Sequence, residues 1–124
     1  MSNVPEDLRY TKTHEWIRLN EMDAEIGITD FAQKQLTDIV YVDLPAEGKK
    51  IKKGDVLLTV ESVKSAEDVF SPVSGEIVAV NKEIEARPEM INQEPYKTWM
   101  VRVKIRETPK ETLTAEEYGK FIGQ

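Results

Sequence analysis

Lys64 is the residue whose position in this sequence best suits a chemical role. It lies between two short apolar-rich runs, residues 56–61 and 66–70, each with the composition of a β-strand. The lysine is therefore predicted to stand at the tip of a β-turn between antiparallel strands. A lysine held out on a hairpin tip suits covalent attachment of a cofactor through its ε-amine. Such a protein would carry a reactive group between enzymes and have no active site of its own.

The flanks of this turn are predicted to be rigid. Val60 before the lysine and Val69–Phe70 after it are expected to anchor in the core, so that an attaching enzyme recognises one lysine by its position. Taken alone the signal is weak, because most lysines in turns are only solvated. The lysines within residues 49–53, between Gly48 and Gly54, are expected to be of that ordinary kind.

Composition excludes many other chemistries. The chain has no cysteine, so disulfides, thiolate nucleophiles and cysteine-based metal sites are absent. His14 is the only histidine, and no G-x-S-x-G turn or Gly-rich phosphate loop accompanies it. The formal net charge of −6 argues against nucleic acid or anionic lipid as a partner. A carrier that is not itself an enzyme fits these exclusions, and protein partners that meet an acidic face stay possible.

Length and hydropathy predict one cytoplasmic domain spanning residues 1–124. No apolar run approaches the ~20 residues that cross a bilayer. Residues 1–8 lack the basic and apolar regions of a secretory signal and are acidic, unlike a transit peptide.

The strands are predicted from short apolar runs bounded by polar, Gly and Pro turns. Gly75 is expected to need a positive φ in the turn that follows Pro72. Spacings of eight to twelve residues indicate a mainly β barrel or sandwich decorated by short helices. The predicted strands are residues 10–19, 24–28, 39–44, 56–61, 66–70, 76–81 and 99–105, with a very short strand within residues 49–53.

Two helices have capping signals. The first begins after residue 28 with Thr29 or Asp30 as N-cap, and Gln33 would complete a capping box with Asp30. The C-terminal helix, about residues 114–122, begins at Thr114 with Glu117 completing its capping box. Gly123 is expected to end it.

Three segments around Lys64 resemble a lipoyl-attachment hairpin: residues 54–57, 61–66 and 71–77. With motifs elsewhere in the chain, the sequence is similar to the H-protein family of the glycine cleavage system. Biotinyl domains usually place their lysine between methionines, whereas Lys64 lies between Val63 and Ser65. The other matching motifs are His14–Trp16, Gly27–Asp30, Ala32–Gln33, Asp38–Val40, Leu44–Pro45, Asn92, Pro95–Tyr96 and Trp99.

The resemblance implies a lipoyl-domain-like barrel-sandwich hybrid with its hairpin core at about residues 38–81, and lipoic acid joined by an amide to Lys64. It implies that the protein accepts the aminomethyl group of glycine from glycine decarboxylase (P-protein) and delivers it to aminomethyltransferase (T-protein). Dihydrolipoamide dehydrogenase (L-protein) then reoxidises the arm, and a lipoate-attaching enzyme installs it. A shuttle that visits several enzymes is expected to be a monomer.

Two carboxylates are candidates for a cleft that receives the loaded arm. The arm then bears an ammonium, and its adduct is labile in water, so Glu15 is expected to pair with it and shield it. Asp68, close to Lys64 in sequence, is the second candidate. Two alternative functions stay open: a relay of lipoyl or octanoyl groups in lipoate metabolism, and a plain β-sandwich interaction module with Lys64 unmodified.

Overall fold

The computed structural model describes residues 2–124, and in this range it contains nine strands and four helices. The strands form a six-stranded sheet in the order β1-β2-β3-β9-β8-β5 and a three-stranded sheet in the order β4-β6-β7. The elements are β1 Arg9–Tyr10, β2 Glu15–Asn20, β3 Asp23–Ile28, α1 Asp30–Leu36, β4 Ile39–Asp43, β5 Lys50–Ile51, β6 Val56–Ser62, β7 Ala66–Phe70, β8 Gly75–Val80, α2 Glu83–Ala86, α3 Met90–Gln93, β9 Val101–Ile105 and α4 Ala115–Phe121.

The main core joins the two sheets. Ile26 and Val103 from the large sheet and Val42 and Val60 from the small sheet are all fully buried in one apolar cluster. Each strand presents alternate residues to this cluster, and the antiparallel register keeps them level with one another. The mainly β architecture follows from these short, closely spaced runs. None of the helices in residues 2–124 is long and apolar enough to span a membrane.

A second cluster covers the other face of β1–β3. Tyr10, Trp16 and Tyr118 are completely buried there, and the Tyr10 and Tyr118 rings stack with centroids 4.8 Å apart. Trp16 lies opposite Gly27 in the β2–β3 register, and its indole nitrogen donates to the Pro95 carbonyl at 2.9 Å. Tyr118 of α4 packs in this cluster with Trp16, the second residue of β2. The C-terminal helix therefore helps to hold the start of β2 in place.

Gly27→Ala is expected to destabilise the fold by about 1–3 kcal/mol, because a methyl group at residue 27 overpacks a filled site. A Cβ there would lie 2.5 Å from the Trp16 ring, which is itself fully buried. Urea unfolding measures the loss. Gly119→Ala is the matched control: nothing lies within 4 Å of its Cβ position, and alanine within α4 is expected to stabilise by about 0.5–1 kcal/mol. Equal effects from the two changes would contradict this account.

The structure corrects two local predictions. Thr29, not Asp30, is the N-cap of α1, and its hydroxyl accepts from the Ala32 amide at 3.2 Å. The Asp30–Gln33 capping box is wrong, because Asp30 is already helical and the two side chains bond to each other. Gly75 is not among the residues with positive φ in this structure.

Glycine is needed at residue 75 for a different reason. A Cβ there would lie 2.2 Å from the Lys104 carbonyl oxygen, so its absence lets β8 approach β9 closely. The C-terminal helix is as predicted. Thr114 and Glu117 form a reciprocal capping box, and Gly123 follows the helix end with φ of 90°.

Candidate functional site

Lys64 stands in the turn between β6 and β7, where the sequence places it. The Ser62 hydroxyl organises this turn, because it accepts from the Lys64 amide at 3.1 Å and the Ser65 amide at 3.0 Å. The Ser62 amide also donates to the Ser65 carbonyl at 2.8 Å. These bonds fix the backbone on both sides of the lysine, so the direction in which its side chain leaves the protein is set locally.

The tip of the turn is solvent-facing. Val63 is 67% exposed, and its amide donates to the Asp38 carbonyl at 3.0 Å, which ties the tip to the start of β4. Lys64 is exposed, and its Nζ reaches the Gln35 carbonyl at 3.4 Å. An amine held only by one long, exposed contact is accessible to an acylating enzyme.

The flanks of the turn agree with the prediction at two of three positions. Val60 and Val69 are buried in the main core. Phe70 is not anchored there: it is 36% exposed, because β7 alternates and Phe70 points to the opposite side from Val69. The exposed ring lines a surface cavity instead.

Glu15 lies at that cavity and is only 1% exposed. Its carboxylate accepts from the Thr11 hydroxyl at 2.6 Å and the Thr13 hydroxyl at 2.5 Å. The nearby backbone amide of Phe70 also favours its charged form. The tight turn before β2 places these donors, since the His14 amide donates to the Thr11 carbonyl at 3.2 Å. Glu15 therefore joins the start of β2 to the end of β7, which belong to different sheets.

The charge of Glu15 is not compensated by a cation. Within residues 2–124, no lysine, arginine or histidine nitrogen lies within 4.0 Å of its carboxylate. Burial raises the pKa of the Glu15 carboxyl, and the hydroxyl and amide donors oppose this without cancelling it. The site thus combines a buried carboxylate, three neutral donors and space for a ligand. Such an arrangement favours a cationic group entering the cavity.

The cavity has a volume of about 410 Å³ and is open to solvent. Lys53 closes one side of it, because its Nζ binds the Lys110 carbonyl at 3.0 Å and the Glu111 carboxylate at 3.2 Å. The residues that line it are Thr11, Lys12, Thr13, Glu15, Lys53, Gly54, Phe70, Ser71, Pro72, Lys110, Glu111 and Thr112.

The three predicted site residues lie apart, at the start, within and at the end of the path that β7 follows. Lys64 precedes β7, Asp68 lies within it, and Phe70 at its end meets Glu15. Lys64 and Phe70 are thus about 20 Å apart at the usual rise of a strand. Asp68 is exposed, accepts from the Thr59 hydroxyl at 3.1 Å, and is not among the residues that line the cavity. Asp68 and Phe70 share the outer side of β7.

Sequence reasoning missed the residues that hold Glu15. Thr11 and Thr13 lie in the tight turn before β2, so their two-residue spacing from Glu15, which aligns side chains only along an extended chain, was no reliable signal for a shared site. No sequence signal indicates that Lys53 and Phe70 line the same cavity as Glu15, because they come from distant parts of the chain.

His14 joins the same region to α4. Its Nδ1 lies 2.8 Å from the Tyr118 hydroxyl, which lies 2.7 Å from the Thr29 hydroxyl. Because the Thr29 hydroxyl accepts from the Ala32 amide, an order in which Thr29 donates to Tyr118 and Tyr118 donates to a neutral His14 satisfies every group. The His14 ring also packs against Phe31, with centroids 4.7 Å apart. Burial accordingly lowers the pKa of His14.

Stability is expected to fall as pH decreases from about 6.5, the ordinary histidine pKa. The unfolded chain takes up a proton on His14 there, while the folded chain resists it until its own, lower pKa is reached. Urea unfolding between pH 7.5 and 5 measures this slope. Because His14 is the only histidine, a His14→Gln variant should remove this contribution, and an unchanged slope would contradict the assignment.

Comparisons with known proteins agree on one family. The family model described as "Glycine cleavage H-protein" matches residues 8–124. A "Probable glycine cleavage system H protein" from Thermoplasma volcanium is 60% identical over 98% of this chain and 99% of its own. One of the same description from Picrophilus torridus is 53% identical over the full length of both chains.

A solved structure gives the same result for the fold. The crystal structure of a glycine cleavage system H protein from Mycobacterium marinum matches with a TM-score of 0.92 and 35% identity, covering 98% of this chain and 100% of that one. The mainly β, barrel-sandwich fold class predicted from the sequence is confirmed. On the family model, the full-length relatives and this structural match together, the chain belongs to the glycine cleavage system H-protein family.

Proposed function

We propose that this protein is a lipoyl-carrying shuttle of the glycine cleavage system, with residues 1–124 forming one carrier domain. It moves the aminomethyl group of glycine from glycine decarboxylase to aminomethyltransferase and is then reoxidised by dihydrolipoamide dehydrogenase. Membership in the H-protein family supports the assignment to the glycine cleavage system. The exposed amine of Lys64, on a turn fixed by the Ser62 hydroxyl, supports Lys64 as the attachment point. A lipoate-attaching enzyme acylates that amine, and we propose that the protein works as a monomer.

Lys64 fits lipoic acid on the geometry of this structure. The turn leaves Nζ exposed, and no strong contact has to be broken before the amide forms. Acylation removes the charge of the lysine and lengthens it into a mostly apolar arm. The lipoyl group supplies a disulfide that is reduced when it takes up the aminomethyl group. Every other part of the cycle depends on how the protein's own residues position and shield that arm.

The buried, uncompensated carboxylate of Glu15 is the observation that carries the proposal. A loaded arm ends in an ammonium, and Glu15 is a carboxylate with donors but no cation of its own. Because Glu15 itself is almost fully buried, its attraction for an ammonium is screened less by water than that of a surface carboxylate. Glu15 therefore holds the cargo, while the half-exposed ring of Phe70 covers the apolar part of the arm.

Asp68 is proposed to guide the arm between these two points. The outer side of β7 presents Ala66, Asp68 and Phe70 in sequence, leading from the Lys64 turn toward the cavity. Asp68 is exposed, so its interaction with a passing ammonium is screened and weaker than that of Glu15. Asp68 thus attracts the ammonium weakly on its way, and Glu15 binds it more strongly in the cavity.

Two measurements test the proposal. Intact-mass analysis of protein purified from its native host should show one lipoyl increment, and an unmodified chain would favour a plain interaction module. Glycine–bicarbonate exchange with purified glycine decarboxylase should then depend on the lipoylated protein. Lipoylation without exchange would instead favour the relay of lipoyl or octanoyl groups, because only the cleavage cycle requires the arm to accept an aminomethyl group.

A further inference from the structure

A groove larger than the cavity at Glu15 lies away from Lys64 and has the opposite net charge to the protein. It is a groove of about 1150 Å³ between the turns at residues 50–55 and 72–76 and the segment 104–111. Six basic and four acidic side chains line it, a net charge of +2, whereas the whole chain carries −6. Positive charge is therefore concentrated at this end of the molecule.

Most of these cations have no carboxylate partner. Of the six, Lys53 alone forms a salt bridge among residues 2–124, with Glu111 at 3.2 Å. The other five make none within 4.0 Å, so their charges are available to a ligand. These five are Lys50, Lys52, Lys104, Arg106 and Lys110.

Backbone hydrogen bonds hold the turns and the segment that form this groove in place. The Gly54 amide donates to the Ser71 carbonyl and the Ser71 amide to the Asp55 carbonyl, both at 2.8 Å, which joins two of its turns. Segment 106–112 is fixed at its far end, where the Arg9 guanidinium donates to the Thr112 carbonyl at 3.0 Å. A preformed groove loses little conformational entropy when a ligand binds.

Its floor is apolar. Ile51, Val73 and Ile105 line the groove while belonging to the main core, and Pro72 and Pro109 add to its walls. Its volume exceeds the ~300–1,000 Å³ usual for small-molecule pockets, so an extended peptide segment fits it better. An apolar floor with a basic rim matches an acidic segment that carries an apolar anchor. Duplex nucleic acid fits less well, because its phosphate backbone offers no apolar group to the floor of the groove.

We propose that this groove docks an acidic, extended segment of a protein partner. The groove lies beyond the start of β6 and the end of β7, and the Lys64 turn lies at the other end of the same hairpin. A partner bound in the groove therefore leaves the Lys64 turn uncovered. The proposal does not depend on modification of Lys64, and its failure would leave the carrier function untouched.

The test is an NMR titration of the full-length, unlipoylated protein with a synthetic peptide of Asp and Glu around a central Leu, at about 0.1 M salt. Shifts confined to residues 50–55, 72–76 and 104–111 are expected. The double change Lys52→Glu with Arg106→Glu should weaken binding at least about tenfold, or roughly 1.4 kcal/mol.

The matched control, Lys82→Glu with Arg87→Glu, reverses the same two kinds of charge outside the groove and should leave the affinity nearly unchanged. Three outcomes would overturn the proposal. The first is no binding, or shifts spread over the whole surface. The second is equal weakening by both double variants, which would reveal a net-charge effect alone. The third is duplex DNA binding the groove as tightly as the peptide does.

Discussion

Lys64→Arg is expected to abolish both lipoylation and every activity that depends on the lipoyl arm. Arginine keeps the positive charge and similar length, but its guanidinium stays protonated and is not acylated as an amine is. Among residues 2–124, the Lys64 side chain makes one hydrogen bond, a 3.4 Å contact to the Gln35 carbonyl, and it is exposed, so the fold should not change. Intact mass after incubation with a lipoate-attaching enzyme and glycine–bicarbonate exchange measure the two losses.

Lys52→Arg is the matched control for this change. Lys52 is another exposed lysine in a turn, and it is expected to retain the full lipoyl increment and full exchange. A lipoyl increment on the Lys64→Arg protein, or its loss in Lys52→Arg, would show that the attachment point is elsewhere. Unfolding curves of all three proteins should coincide.

Glu15→Gln is expected to shorten the lifetime of the aminomethyl group on the loaded protein by about ten- to hundredfold, since a charged hydrogen bond contributes about 1.5–3 kcal/mol. Glutamine keeps the size of the side chain and an oxygen acceptor for Thr11 and Thr13 but removes the charge that pairs with the ammonium. Release of formaldehyde and ammonia from the loaded protein, followed over time without aminomethyltransferase, gives this lifetime.

Stability separates this effect from misfolding. Burial raises the pKa of Glu15, so its charged form opposes folding near neutral pH, and the glutamine variant should be at least as stable there. Glu85→Gln, at an exposed residue of α2, is the matched control and should leave the lifetime unchanged. Asp68→Asn should have a smaller effect than Glu15→Gln. An unaltered lifetime in Glu15→Gln would refute the assigned role.

The sequence was sufficient to predict the turn that carries Lys64, because that feature is local. Alternating apolar residues define β6 and β7, and the few residues between them must form the turn that carries Lys64. The C-terminal helix was predictable for the same reason, since Thr114 and Glu117 lie three residues apart and each side chain accepts from the backbone amide of the other residue.

The cavity at Glu15 could not be predicted from the sequence, because it is formed by segments that are far apart in the chain. Glu15 meets the Phe70 amide across two sheets, and Lys53 meets Glu111 across 58 residues of chain. The pairing of those segments depends on how both sheets pack, which no short pattern records. The role of Gly75 was misjudged for a related reason: its constraint comes from the carbonyl of Lys104 on a neighbouring strand, not from its own φ.

The segment that ends at Thr112 is a wall shared by two concavities. Lys53, Lys110 and Glu111 line both the cavity at Glu15 and the basic groove. If a ligand in the groove displaced this wall, affinity in the cavity would change, and by thermodynamic linkage a ligand in the cavity would change affinity in the groove by the same factor. The Lys53–Glu111 contact is then the route through which the proposed docked segment and the proposed loaded arm would affect each other.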